Sequence, residues 1–110
     1  MSERNDEVYL HDILISIEAI EQYLSSISES EFIADQMLMD AVIRRFEIIG
    51  EAASHISQQF KDMHPQIEWR LMSDMRNKLI HEYFGASASL IYAASRINLP
   101  ELKSKILSIL

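Results

Sequence analysis

Apolar residues recur along most of the chain at steps of three and four. Leu10, Ile13, Leu14, Ile17, Ile20, Leu24 and Ile27 form the first such series, with Asp12, Glu18, Glu21 and Gln22 between them. On a helix of about 3.6 residues per turn that spacing gathers the apolar side chains on one side, so a long amphipathic helix is expected from about Val8 onward. The polar stretch Ser25 to Ser30 ends it, and Ser28 followed by Glu31 has the spacing of a capping box for the next helix. A second series runs from Phe32 through Met37, Leu38, Val42, Phe46, Ile49, Ala53 and Ile56 towards Phe60. It predicts one further long helix, able to pack antiparallel against the first. Gly50 falls inside it, where glycine costs up to about 1 kcal/mol relative to alanine. Close approach of another backbone would account for it.

Pro65 suits the first turn of a third helix, whose buried stripe is expected from Trp69, Met72, Met75, Leu79 and Ile80. Gly85 is placed to stop that helix in a left-handed cap. Ser87 or Ser89 can cap a short helix through Leu90 to Arg96, and Asn98, with Glu101 three residues on, can start a last one ending at Leu110. No alternation of period two, repeat or linker interrupts the series. The expectation is a single all-α domain over residues 1–110, an up-down helical bundle with short additional C-terminal helices.

Composition narrows the setting. Two glycines, two prolines and no cysteine among 110 residues leave few turn-formers, no disulfide framework and no thiolate metal site. No apolar run approaches the roughly 20 residues that cross a bilayer, and Met1 leads into Ser-Glu-Arg-Asn-Asp-Glu instead of a basic-then-apolar signal, so a cytoplasmic location is expected. The net charge of −7 argues against coating nucleic acid by bulk electrostatics. The charge is uneven: residues 1–31 hold eight acidic residues against one basic, whereas residues 84–110 hold three basic against one acidic. A small anion-binding pocket in the second half is therefore compatible with the overall acidity.

The densest run of chemically capable side chains is Arg76-Asn77-Lys78-Leu79-Ile80-His81-Glu82-Tyr83. At about 100° per residue, Asn77 and His81 share a helix face, as do Arg76 and Tyr83, while Arg76 and His81 diverge by roughly 140°. For Arg76 and His81 to meet one atom, either the helix distorts towards Gly85 or two copies assemble a composite site about a two-fold axis. Asn77 is placed to hydrogen-bond His81 and fix its tautomer. Histidine beside an always-charged arginine suffices to cleave an RNA phosphodiester without metal. The imidazole moves the 2′-hydroxyl proton or protonates the leaving oxygen, and the guanidinium stabilises the added negative charge. Arginine and histidine also favour the negative end of a helix, and the spacing alone leaves that simpler account open.

At these residues the chain resembles the HepT-like branch of the HEPN superfamily. The mark of that branch is an arginine followed by a polar residue and, a few residues on, by histidine, here extended by Tyr83. The resemblance continues through Tyr9-Leu10-His11-Asp12-Ile13-Leu14, through Ala41 to Ala53, through Pro65 to Trp69-Arg70, and through Leu99-Pro100-Glu101-Leu102. It implies a HEPN-type bundle and a metal-independent ribonuclease toxin, active as a homodimer on RNA and without a cofactor. It also implies a cognate minimal nucleotidyltransferase antitoxin that silences the toxin by adding adenylate to the motif tyrosine, here Tyr83. Arg76, Asn77 and His81 are then the catalytic residues. The run Ala-Ser-Ala-Ser after Gly85 departs from relatives that carry an acidic residue there, which touches the start of the following helix and not the motif.

Other candidates read more simply. Trp69, Met72 and Met75 stand at core spacing. His11, His55 and His64 lack partners at metal-ligand spacing and read as surface or cap residues, so no metal is expected. An ion pair on a helix flank is the simpler account of Arg44 and Arg45; the alternative is that one of them lines the cleft with Glu51. Beside the ribonuclease reading stand a module that binds a nucleotide or the transferase without cutting, and a purely structural helical dimer.

Overall fold

The computed structural model describes residues 5–81 and 88–110, and at residues 79–81 the backbone alone. The described chain is helical: α1 (Asp6–Tyr23), α2 (Glu29–Ile33), α3 (Gln36–His55), α4 (Gln58–Met63), α5 (Trp69–His81), α6 (Ala88–Ala93) and α7 (Leu99–Ile109), with a π-helical turn (Ala94–Asn98) joining the last two. No strand occurs among the described residues. The architecture is the expected all-α bundle. Helix α3 is its centre, packed against α1 on one side and α5 on the other, while α7 closes on α1 and α6 on α2.

Each start has a local cause. Asn5 caps α1 by accepting from Val8 N, and Ser28 and Glu31 form the expected capping box of α2, the Glu31 carboxylate accepting from Ser28 N at 3.0 Å. The long second helix predicted from Phe32 to Phe60 is instead three. Asp35 takes an extended conformation and caps α3 by accepting from Leu38 N, and Ser57 does the same for α4 at Phe60 N. Both are good N-cap residues lying between apolar positions whose spacing carries on across them, so periodicity alone runs over the breaks. Ser57 is also held from outside its own helix: its N–H and hydroxyl donate to Asp6 Oδ1 and Oδ2 at 2.8 and 2.7 Å, tying the end of α3 to the start of α1.

Pro65 lies before α5, not in its first turn. It occupies the second position of a turn closed by Ile67 N donating to His64 O at 3.2 Å, where its fixed φ is favourable. Asn98 caps nothing: it is helical, with no side-chain cap bond, and Ser89 lies inside α6. The helix runs on through the π-helical turn because Pro100 lacks an N–H and crowds the carbonyl four residues before it, and a widened turn relieves that crowding. The expected roles of Ser87 and Gly85 lie outside the described residues.

Leu10, Ile13, Ile17 and Ile20 of α1, Val42, Ile49 and Ala53 of α3, and Ile106 of α7 make a continuous core with Phe32, Trp69 and Met72. Burying each large apolar side chain stabilises the fold by about 1.5–3 kcal/mol. Trp69 is buried with its indole N–H donating to His64 O at 3.0 Å, and Met75 packs against the core edge, so the expected core role of the Trp and Met stripe holds. No described helix is long and apolar enough to cross a membrane.

Candidate active site between α3 and α5

Gly50 decides how near α5 comes to α3. A Cβ built on it would stand 2.8 Å from Met72 O and nearer still to Arg76 Cβ. Neither atom can swing aside, because one is backbone and the other is fixed to it. The absence of a side chain at Gly50 therefore lets the Met72–Arg76 turn of α5 lie directly on α3, as the glycine's place in the helix implied.

This contact delivers Arg76 to Glu51, the residue after the glycine. Arg76 Nη1 donates to Glu51 Oε2 at 2.5 Å, while its Nε and Nη2 donate to Asn77 Oδ1 at 3.2 and 2.9 Å. A guanidinium has five N–H bonds, so among the described residues two are left without an acceptor. The arginine side chain is 23% exposed, which leaves it within reach of solvent. The group is thus oriented in advance but not consumed.

Glu51 is a branch point. Its Oε1 meets His55 Nε2 at 3.1 Å, one turn along α3. The hydrogen bond with His55 is the main cause that holds the Glu51 carboxyl below its ordinary value of 4.5; desolvation opposes it, and the charge of Arg76 adds to the lowering. His55 in turn stacks on Tyr9 of α1, with ring centroids 5.2 Å apart and planes 16° apart. Tyr9, Asp12, Arg44, Ile48, Glu51, Ala52 and His55 line one open cavity of about 310 Å³. A larger cavity of about 370 Å³ lies among Phe46, Ile49, Leu71, Met72, Met75 and Leu102, with Glu68, Glu101 and Lys105 also in its lining.

Of the residues singled out from sequence, Arg76 and Asn77 are brought together, Asn77 by holding the arginine. His81 ends α5, but its side chain, and with it the expected Asn77–His81 bond, lies outside the described atoms; Tyr83 lies outside the described residues. Helix α5 is α-helical through His81, so any distortion that would turn Arg76 and His81 to one side does not occur before that residue. Glu51 was weighed as a cleft residue beside Arg44 or Arg45, but two pairings were not foreseen: Glu51 with Arg76, and His55 with Glu51. Their four-residue separation beside a mid-helix glycine was the available signal. The simpler account of the paired arginines is corrected in part. Arg45 donates to Tyr23 OH at 3.3 Å, while Arg44 lines the cavity with Glu51 and makes no ion pair or hydrogen bond among the described residues. Among the described residues no three His, Asp or Glu side chains converge as a metal site would require.

Comparison with known proteins bears on this arrangement. Residues 13–109 match the family described as Ribonuclease HepT-like. The chain is 43% identical over 102 residues to "Probable ribonuclease HepT" of Thermococcus cleftensis, covering 93% of each chain. It is 37% identical over 106 residues to "Putative RNase MJ1380" of Methanocaldococcus jannaschii, covering 96% of this chain and 97% of that one. A third relative, "Gamma-glutamylcyclotransferase and putative RNase MJ0434" of the same archaeon, is 40% identical over 104 residues, which cover 94% of this chain and 47% of that protein. No solved structure matches.

Proposed function

Since the chain belongs to the HepT-like ribonuclease family, we propose that it is a metal-independent endoribonuclease that uses Arg76, Asn77 and His81 as a homodimer in the cytoplasm. In this reading the 2′-oxygen of RNA attacks the adjoining phosphorus, the bond to the 5′-oxygen breaks, and a 2′,3′-cyclic phosphate and a 5′-hydroxyl result. His81 takes the 2′-proton or returns one to the leaving oxygen, and the two free N–H bonds of Arg76 receive the charge that builds on phosphate. Only RNA carries that internal nucleophile.

The observation that carries the reading is the fixing of Arg76 by Glu51 and Asn77 with donors to spare. Both partners are side chains, and the Glu51 carboxylate is exposed enough to turn away, so the guanidinium is held without being closed off. The regular helix through His81 supports the dimer, because at roughly 140° divergence the Arg76 of one copy and the His81 of another converge more readily than the pair on one helix. The test is incubation of the pure protein with labelled RNA in chelator, beside His81→Ala. Cleavage by the parent and its loss in a folded variant are expected. A folded His81→Ala protein as active as its parent sends the site to the binding-module reading.

The family resemblance also supports a role as the toxin of a toxin-antitoxin pair, with a minimal nucleotidyltransferase as antitoxin. Tyr83 follows His81 by two residues and Arg76 by seven in the sequence, and in this reading adenylate on its hydroxyl brings a phosphodiester charge to the place of the RNA phosphate. Co-expression with the transferase should add adenylate mass at Tyr83 and silence cleavage. An unmodified Tyr83 in a fully neutralised complex would mean inhibition by steric binding.

A further inference from the structure

The cavity on the far side of Glu51 from Arg76 has features that the cleavage chemistry leaves unused. Its wall is the stacked pair Tyr9 and His55. Tyr9 is partly buried and packs against the core, which fixes the plane of the pair, whereas the His55 side chain is 51% exposed and leaves the stack open to a third ring. Arg44 stands at the same cavity without an ion pair or hydrogen bond among the described residues. Two carboxylates, Glu51 and Asp12, also line it, and the charge of Glu51 is met by Arg76 and His55.

We propose that this cavity is a nucleotide subsite for RNA, in which the base next to the scissile phosphate extends the Tyr9–His55 stack and a flanking phosphate meets Arg44. This rests on Arg76 and His81 being the cleavage site. Its volume of about 310 Å³ is of the order that holds one small ligand. Unstacked RNA bases are commonly received on tyrosine and histidine rings, with arginine tracking the backbone. Glu51 links the two parts of the cleft, one oxygen on His55 and the other on Arg76, so a base on the stack lies next to the phosphate held by the arginine.

The probe is a dinucleotide carrying a 2′-O-methyl group, which binds but cannot be cut, titrated into the full-length protein and followed by NMR and calorimetry, with 5′-AMP alongside. The dinucleotide should shift the ring signals of His55 and Tyr9. His55→Ala and Arg44→Gln should each weaken its binding roughly tenfold. His55→Phe, which stacks but cannot bond Glu51, should recover most of the loss; Tyr9 is left in place because it supports the core. Shifts confined to Arg76 and Asn77, with unchanged affinity in both variants, overturn the subsite. A His55→Phe protein as weak as His55→Ala also overturns it, since His55 would then act only through Glu51. Equal affinity for 5′-AMP and the dinucleotide assigns the cavity to free nucleotides and overturns its role on RNA. Cleavage of labelled RNA by the parent, measured in parallel, reports on the Arg76–His81 reading separately from these affinities.

Discussion

Arg76 and Arg96 are both anchored, but to different kinds of partner. Arg96 donates from Nη2 to the carbonyls of Leu24 and Ile27 at 2.5 and 2.8 Å, donates from Nε to Tyr92 OH at 3.2 Å, and lies 5.2 Å from the centre of the Tyr92 ring. Those carbonyls belong to the turn after α1, where a helix end leaves acceptors without intrahelical donors and Ser26 takes a positive φ of 61°. Tyr92 OH donates to the same Ile27 carbonyl at 2.6 Å. Among the described residues Arg76 donates only to side chains, Glu51 and Asn77. A backbone carbonyl is fixed in place by its chain, whereas a carboxylate at 59% exposure can turn to water. One arginine is tied to fixed carbonyls; the other rests on side chains that can move.

The comparison breaks most sharply at Arg76→Ala, which should lower RNA cleavage by about 10²–10³-fold, the usual cost of removing one preorganised charge-stabilising donor. Its thermal midpoint should scarcely move, because a partly exposed ion pair contributes roughly 0–1 kcal/mol. Loss of cleavage only in proportion to lost fold would place Arg76 with Arg96. Gly50→Ala should act on both counts, since α5 must move off α3 to admit the methyl. A destabilisation of about 3 kcal/mol is expected, with cleavage reduced in the protein that remains folded. Denaturant midpoints with activity per folded molecule measure it, and an unaltered midpoint would show that α5 does not depend on this contact.

Arg96→Ala should do the reverse of Arg76→Ala. Ile27 N and Tyr92 OH still donate to the two carbonyls, so the loss of the arginine's own bonds costs about 1 kcal/mol and lowers the melting temperature by roughly 4–8 °C, while cleavage per folded molecule stays near that of the parent. The smallest effect is that of acid. The Glu51 carboxyl is held below its ordinary value of 4.5, so the stabilisation it lends Arg76 is present above that value and is lost as pH falls through the depressed one. Arg96, anchored to carbonyls and a phenol, has no such dependence. On acidification below 4.5 the Nε–H resonance of Arg76 should broaden before that of Arg96; simultaneous broadening would mean global unfolding instead of a local release.

The two regions also differ in how far they could be read from the chain. The capping box at Ser28 and Glu31 and the meaning of Gly50 were legible because each rests on spacing within one helix or on one residue's missing side chain. The breaks at Asp35 and Ser57 were hidden, since the apolar spacing passes over them and only their cap bonds mark them. The expected cap at Asn98 was overridden by a continuous helix that absorbs Pro100 in a π-helical turn. The motif singled out Arg76 and Asn77 as chemically capable neighbours, but not that Asn77 Oδ1 would accept from Arg76; the expected Asn77–His81 bond lies outside the described atoms.

The sequence by itself determined the helical periods, the single core and the angular divergence of Arg76 and His81, because each depends on residues within a few turns of one another. Tertiary structure alone decided that Glu51, 25 positions before Arg76, would be its counter-ion, and that Tyr9 and His55 would share a cavity with Arg44. Such pairings follow from how closely and in what register α1, α3 and α5 pack. Helical spacing sets which face a residue occupies, but not which residue of another helix it will meet.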